Sequence, residues 1–414
     1  MTRLLISLRA PLVWAVLALA CGDDIAEPEP ATDADSPMDA ATRLDAATRM
    51  DAAAPALDAT PPQPDGSDDD ADTERDASSL ADAGPMLPEH CTYATTPPAT
   101  LDCTGLYLDV ASKQLFPGVR AYAPAYALWS DGSSKQRWIS LPEGERIDNA
   151  DRNEWVFPIG TKLFKEFSRD GKRIETRMWH KAGKNFWVNA AYAWDADERS
   201  AERSAGGDIT LADGSSYHIP TQDECEKCHR GRTERILGFD EVLLGLPGAE
   251  GVTLRQLVDE GHLTEAPGAS ELVIGDDGSG LAANVLGWLH ANCGITCHNG
   301  NSRAIGYPTG MRLRLDPEQL DGRSVTDFEV YTTTVGVPVT TASWRGRTRI
   351  APGRPEQSWL YHLISNRGDG MQMPPFASER VDSVHVALIS EWIRQLPPLE
   401  PDDDAGVADP GGRP

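Results

Sequence analysis

Positive charge is scarce in this 414-residue chain: 38 Lys and Arg stand against 64 Asp and Glu, a formal net charge of −26. That balance speaks against nucleic acid and anionic lipid headgroups as partners. Long apolar runs are missing too. The run from Leu12 to Ala20 is too short to cross about 30 Å of hydrocarbon, which argues against a transmembrane anchor. Between Gly22 and Glu89 there is almost no aromatic or β-branched content, and Asp, Ala and Pro fill the segment. Such a composition cannot bury enough apolar surface to offset its ordering entropy, and it predicts disorder. Cysteine is sparse as well, seven in all, and every one of the seven stands at a position with a chemical reading.

The charge is unevenly distributed. Residues 22–89 carry 19 acidic and 3 basic side chains, and the tail after Leu399 carries 5 and 1. Most of the negative charge therefore belongs to a solvated, self-repelling tether, and the body between is only mildly acidic. The tether contains an imperfect six-residue repeat beginning at Met38, Leu44 and Met50. Six does not match a heptad, so it reads as low complexity. At the start, Arg3 and Arg9 precede the apolar run, and Ala18-Leu19-Ala20-Cys21 ends it at small residues. This looks like a bacterial lipoprotein signal, which implies acylation of Cys21. Alanine three residues before that cysteine leaves ordinary signal-peptidase cleavage open. Gly22 offers no inner-membrane retention cue of the kind an aspartate there gives. The expected location is the periplasmic side of the envelope, lipid-anchored, with the outer membrane favoured.

Four cysteines fall in two motifs. Cys225-Glu226-Lys227-Cys228-His229 has the spacing of c-type haem attachment: two thiols reach the two vinyl groups of one porphyrin, and the histidine serves as proximal ligand. Cys293-Gly294-Ile295-Thr296-Cys297-His298 repeats the motif with one extra residue between the thiols, which can bulge without moving Cys297 relative to His298. Paired cysteines also build zinc sites, but zinc does not explain a histidine directly after each pair. Cys91 and Cys103 remain, and in an oxidising compartment they form a candidate disulfide.

The body divides into parts. Residues 90–220 read as β. Runs at 136–141, 154–157, 162–168, 173–179 and 185–192 carry aromatic or alternating apolar positions, with turn residues at Ser168–Gly171, Lys181–Lys184 and Ser130–Ser133. Trp129, Trp138, Trp155, Trp179, Trp187 and Trp194 fall in or near these runs and read as core and cross-strand pairs. Asp131-Gly132, after Trp129, reads as a plain turn. Residues 221–270 hold the first motif. From 271 to 398 the pattern is helical: Leu281, Val285, Leu286 and Leu289 lead into the second motif. Val386, Leu388, Ile389, Trp392 and Ile393 mark a closing helix capped at Asp382-Ser383. Residues 399–414 read as a disordered tail. The fold class is α+β, an antiparallel β-rich domain followed by a mainly α domain.

The stretch from Glu271 to Pro398 resembles class I cytochrome c, where a helix entering the haem motif crosses the last helix. That resemblance implies an iron ligand at Met373, in Met371-Gln372-Met373-Pro374-Pro375, with Met371 as its nearest competitor. A His298/Met373 pair raises the reduction potential and leaves no open coordination position. His290, His362 and His385 read as ordinary residues. From Tyr122 to Gln395, the order of Trp129-Ser130-Asp131-Gly132, Arg137-Trp138-Ile139-Ser140-Leu141-Pro142, Trp155-Val156-Phe157-Pro158-Ile159-Gly160-Thr161, the two motifs and Met-Pro-Pro resembles a poorly characterised family of exported bacterial dihaem c-type cytochromes. The resemblance implies two haem c groups, electron transfer to an unidentified redox partner and a tether to the membrane. For the first haem, Met178, His180, His218, His262 and Met311 are candidate distal ligands. If none serves, that iron is open, and a peroxidase- or oxidase-type enzyme, with His218 or Glu224 as acid/base, becomes the alternative. A weaker third reading makes the Trp-rich sheet a binding module.

Overall fold

The alternating strands and turn residues build one sheet. In the computed structural model, which describes residues 87–91 and 95–398, the strands are β1 (Tyr107–Asp109), β2 (Gln114–Leu115), β3 (Val119–Ala123), β4 (Ser134–Ser140), β5 (Lys162–Arg169), β6 (Lys172–Gly183), β7 (Phe186–Trp194), β8 (Ala201–Ser204), β9 (Gly207–Thr210), β10 (Ser216–Ile219) and β11 (Glu250–Gly251). A seven-stranded antiparallel sheet runs in the order β11-β3-β4-β5-β6-β7-β8, and β1–β2 and β9–β10 form two separate hairpins. The leader with Cys21, most of the acidic segment and the tail 399–414 lie outside the described residues.

Turn chemistry sets the register. Arg169 pairs with Lys172 across Asp170 and Gly171, both at positive φ (53° and 77°). This is the two-residue turn whose twist suits a hairpin. The run 154–157 is not a strand of the sheet. Trp155 and Phe157 are buried and Val156 is exposed, but the segment makes only one bridge, Asp148 to Val156. Its alternation reflects burial against the core, and Pro158, which cannot donate to a ladder, follows at once.

Because side chains alternate across a strand, the sheet has two buried faces. On one, Trp138, Phe164, Met178, Val188 and Tyr192 pack with Leu101, Leu106 and Tyr107 of the preceding segment. That segment is closed by a disulfide between Cys91 and Cys103. On the other, Ile139, Leu163 and Trp179 join Leu286, Leu289, Ile389 and Trp392 in a single core. The β-rich and helical parts thus share their main core, and the described residues fall in one compact unit.

The helices are α1 (Gln222–His229), α2 (Glu241–Gly245), α3 (Leu254–Asp259), α4 (Ala282–Leu289), α5 (Pro317–Leu320), α6 (Glu329–Thr332), α7 (Trp359–Ile364) and α8 (Ser383–Gln395). Thr221 and Glu224 close a capping box on α1. Asp382 caps α8 by accepting from the His385 N–H at 3.3 Å. The helix α4 packs against α8, with the Trp288 indole N–H donating to Asp382 at 3.1 Å. Among the described residues no helix is long and apolar enough to cross a membrane.

Candidate functional site

The inserted residue of the second motif has a specific structural consequence. The chain leaves α4 through a π-helical turn, His290–Gly294. Hydrogen bonds there close over five residues: Ile295 N–H to His290 carbonyl at 2.9 Å and His298 N–H to Cys293 carbonyl at 2.8 Å. A turn that closes on i−5 in place of i−4 absorbs one extra residue without breaking the helix. The Cys293–Cys297 spacing and the widened turn are one feature.

Cys293, Cys297 and His298 line the wall of a large, mostly apolar cleft with about 1330 Å³ of empty space, its mouth included. Met373, Pro374 and Pro375 line the same cleft. Met373 is held by its N–H, which donates to the Leu363 carbonyl at 2.9 Å. Met371 is 41% exposed and does not line the cleft. Met311 also lines it. Burial holds His298 down at about 4, helped by Arg349 and Arg312, so its ring is neutral at pH 7 and offers a lone pair. Its Nδ1 lies 3.5 Å from the Thr309 hydroxyl. Trp359 Nε1 is buried on this wall without a hydrogen-bond partner. Burial pushes the Cys293 thiol up to about 12 and raises that of Cys297.

The loop bearing Met373 is clamped from the sheet. Asp131 accepts the backbone N–H of Glu379 at 3.0 Å and of Arg380 at 3.0 Å. The Trp129 indole N–H donates to the Arg380 carbonyl at 3.0 Å, and the Trp129 backbone N–H donates to Asn292 Oδ1 at 2.6 Å. The turn at 129–132 therefore ties the Met373 loop to the turn before Cys293. In sequence it reads as a hairpin turn only, because its partners lie more than 160 residues away.

The first motif sits on α1, facing the sheet. His229 stacks on Trp179, ring centroids 4.4 Å apart at 22°. Its Nδ1–H donates to the Arg235 carbonyl, which leaves Nε2 with the free lone pair. Burial holds this imidazole down at about 3. The Cys228 thiol is raised to about 11, by burial first and the nearby Cys297 next, and Cys228 lines the same cleft as His298 and Met373. The two motifs meet backbone to backbone: a Cβ on Gly231 would stand 2.1 Å from the Thr296 carbonyl oxygen. Lys227 lies over Phe376, another cleft residue, with its ammonium 5.5 Å from the ring centroid.

The candidate distal ligands for the first motif are dispersed. Met178 and His180 alternate with Trp179 along β6, so they lie on the opposite face of the sheet from the one on which His229 stacks. His218 is bracketed by Asp208 at 2.7 Å and Glu224 at 3.0 Å, which raise its pKa. His262 pairs with Glu260 at 3.2 Å, and Met311 lines the cleft that Cys228 shares with His298 and Met373. Of the other histidines, His290 accepts the Leu315 N–H at 2.9 Å, His362 stacks on Trp359, and His385 is bound to Asp382 at 2.7 Å.

Among the described residues, one group of three Cys, His or acidic donors has its atoms within 4.8 Å of one another: His90, Cys91 and Cys103. Its two sulfurs are disulfide-bonded. The motif cysteines and histidines do not converge as a tetrahedral zinc site requires. Comparisons with protein-family models, with curated proteins and with solved structures found no match.

Proposed function

We propose that the chain is a dihaem c-type cytochrome that carries electrons, tethered by lipid to the periplasmic face of the envelope with the outer membrane favoured. The observation that carries this reading is the shared cleft. An attachment motif supplies two thiols and a neutral imidazole to its lining, and Met373 supplies a thioether. The residues suit a tetrapyrrole: the cleft is mostly apolar, and thiols, a neutral imidazole and a thioether all line it. His298 and Met373 would be the axial ligands there, and His229 the proximal ligand of the first group, with Cys225, Cys228, Cys293 and Cys297 as attachment points. The packing of α4 on α8 supports a cytochrome c-like arrangement of the C-terminal part. Haem would supply the redox chemistry. The chain's part is to orient two imidazoles by their Nδ1 side, hold Met373 on a clamped loop and keep water from the cleft. The electron-transfer partner is a protein of unassigned identity.

The decisive experiment is haem stoichiometry, by pyridine haemochrome absorbance with intact mass, on protein made in a host with c-type maturation. Two covalent haems per chain are expected. One would remove the second motif from the reading, and none would refute the reading outright.

A second reading is favoured by one observation, the dispersal of the distal candidates of the first motif. With Met178 and His180 across the sheet and His218 held by two carboxylates, the first iron would be left open, as a peroxidase- or oxidase-type enzyme needs. Rapid binding of CO or cyanide to one haem supports that reading. Slow or absent binding supports the carrier.

A further inference from the structure

Two stretches of the body, 278–315 and 330–355, contain no acidic residue, and between them they hold seven arginines. In a chain with 64 Asp and Glu among 414 residues, that is a local reversal of charge. One of the seven, Arg314, turns to Glu154 at 3.0 Å. Among the described residues the other six, Arg303, Arg312, Arg345, Arg347, Arg349 and Arg354, form no ion pair.

The fold brings the two stretches together beside His298. Arg349 donates to the Thr309 carbonyl at 2.5 Å and to the Thr333 carbonyl at 2.6 Å. The Arg312 backbone N–H donates to the Thr333 hydroxyl at 2.9 Å. Thr309, Thr340, Trp344, Arg349 and Trp359 line the cleft together with His298. The Arg312 guanidinium donates to the Tyr307 carbonyl at 3.3 Å and lies 4.9 Å from the centroid of that ring. Arg347 lies over Trp359, 3.9 Å from its ring centroid, and Trp359 meets Trp344 edge-on at 5.4 Å. Arg345 and Arg347 are exposed, and Tyr307 is 38% exposed. Lys227, over the cleft residue Phe376, is likewise exposed and in no ion pair among the described residues.

Carbonyl oxygens and aromatic faces orient these guanidiniums without cancelling their charge. An oriented guanidinium presents its N–H fork to a carboxylate, the geometry of a bidentate pair. Arg, Trp and Tyr are also the side chains that dominate the energetic centres of protein interfaces. An extended polyanion such as nucleic acid or an anionic bilayer would have to run over the acidic remainder of a chain of net charge −26. A confined acidic patch meets the local cations alone, because charges beyond about 10 Å are screened.

We propose that this arginine and aromatic rim of the cleft is the docking surface for an acidic patch on a partner protein. The partner's carboxylates pair with Arg312, Arg345 and Arg347, and Trp344 and Tyr307 supply apolar contact. A protein docked there stands beside the group that Cys297 and His298 hold. That the partner exchanges electrons rests on the function proposed above; the docking surface itself does not.

The test uses the full-length protein as purified from a maturation-competent host, with a polyglutamate peptide as probe. The peptide is expected to bind saturably and more weakly as salt is raised. Bound peptide protects Arg345 and Arg347 from phenylglyoxal, read by mass spectrometry, and leaves unchanged the reactivity of Arg255, an exposed arginine paired with Glu271 at 2.5 Å. Arg345→Gln combined with Arg347→Gln weakens peptide binding about fivefold to tenfold, the loss of two exposed charge pairs, whereas Arg255→Gln does not. The protection measurement needs no variant and stands even if the double variant does not fold. The proposal is overturned if the rim arginines react at the same rate with and without peptide, or if Arg255 is protected equally. It is also overturned if phosphatidylglycerol vesicles or a DNA duplex protect the rim at lower concentration than the peptide. None of these readouts depends on haem. Two haems without protection would remove the docking surface and leave the proposed function standing, and protection without haem would do the reverse.

Discussion

Met371 and Met373 stand two positions apart in the same Met-Pro-Pro stretch, and burial separates them: one points to solvent, the other lines the cleft with His298. Met373→Ala is therefore expected to abolish the sulfur–iron charge-transfer band of the loaded protein and lower one reduction potential, while Met371→Ala leaves both unchanged. Equal effects of the two would break the assignment. The buried imidazoles make a second, independent prediction for the haem-free chain. His180, His229 and His298 are held at about 4, 3 and 4 by burial, below the ordinary value of about 6.5. Between those limits the unfolded chain binds more protons than the fold, so stability falls as pH drops from about 6.5 toward 4. His218, raised by Glu224 and Asp208, works in the opposite sense. Its contribution is present below about 6.5 and is lost as pH rises through its raised value, but it is exposed and screened. Thermal unfolding scanned between pH 7 and 4 should show the midpoint falling; a flat profile would mean that the three rings are charged in the fold.

Single contacts between distant segments govern how the elements sit. Gly231, just after the first motif, touches the Thr296 carbonyl in the second. Gly231→Ala is expected to cost about 1–3 kcal/mol through overpacking. Gly268→Ala, where an added Cβ meets nothing within 4 Å, serves as the control, both measured by denaturant unfolding. Asp131 anchors the loop after Met373 through backbone N–H groups. Asp131→Ala should lower stability by about 1–3 kcal/mol and speed hydrogen exchange in residues 376–382 ahead of the rest of the chain. If exchange rises uniformly, the turn is no clamp. The clamp is invisible in sequence because a β-turn signature carries only local information. The π-turn is half legible: the extra residue between Cys293 and Cys297 demands a bulge, but its placement at His290–Gly294 depends on packing.

At the scale of the whole molecule, the sheet contributes one face to the core that also holds α4 and α8. A fragment of residues 90–220 would expose Ile139, Leu163 and Trp179 to water, and is expected to remain unfolded or to aggregate, as judged by circular dichroism and gel filtration. A soluble, cooperatively folding fragment would show that the shared core is dispensable. It would also revive the reading of the sheet as a separate binding module.

Local chemistry determined much of this protein from sequence alone. The strands around β4 to β7, the Asp170–Gly171 turn, the capped last helix and the Cys91–Cys103 pair follow from periodicities, turn residues and cysteine accounting that act within a dozen or so residues. The burial that separates Met371 from Met373, the clamp at Asp131 and the dispersal of the first motif's distal candidates belong to the tertiary structure. Each depends on which face of a strand meets which helix. A periodicity says that a face is buried, and only packing decides what lies against it.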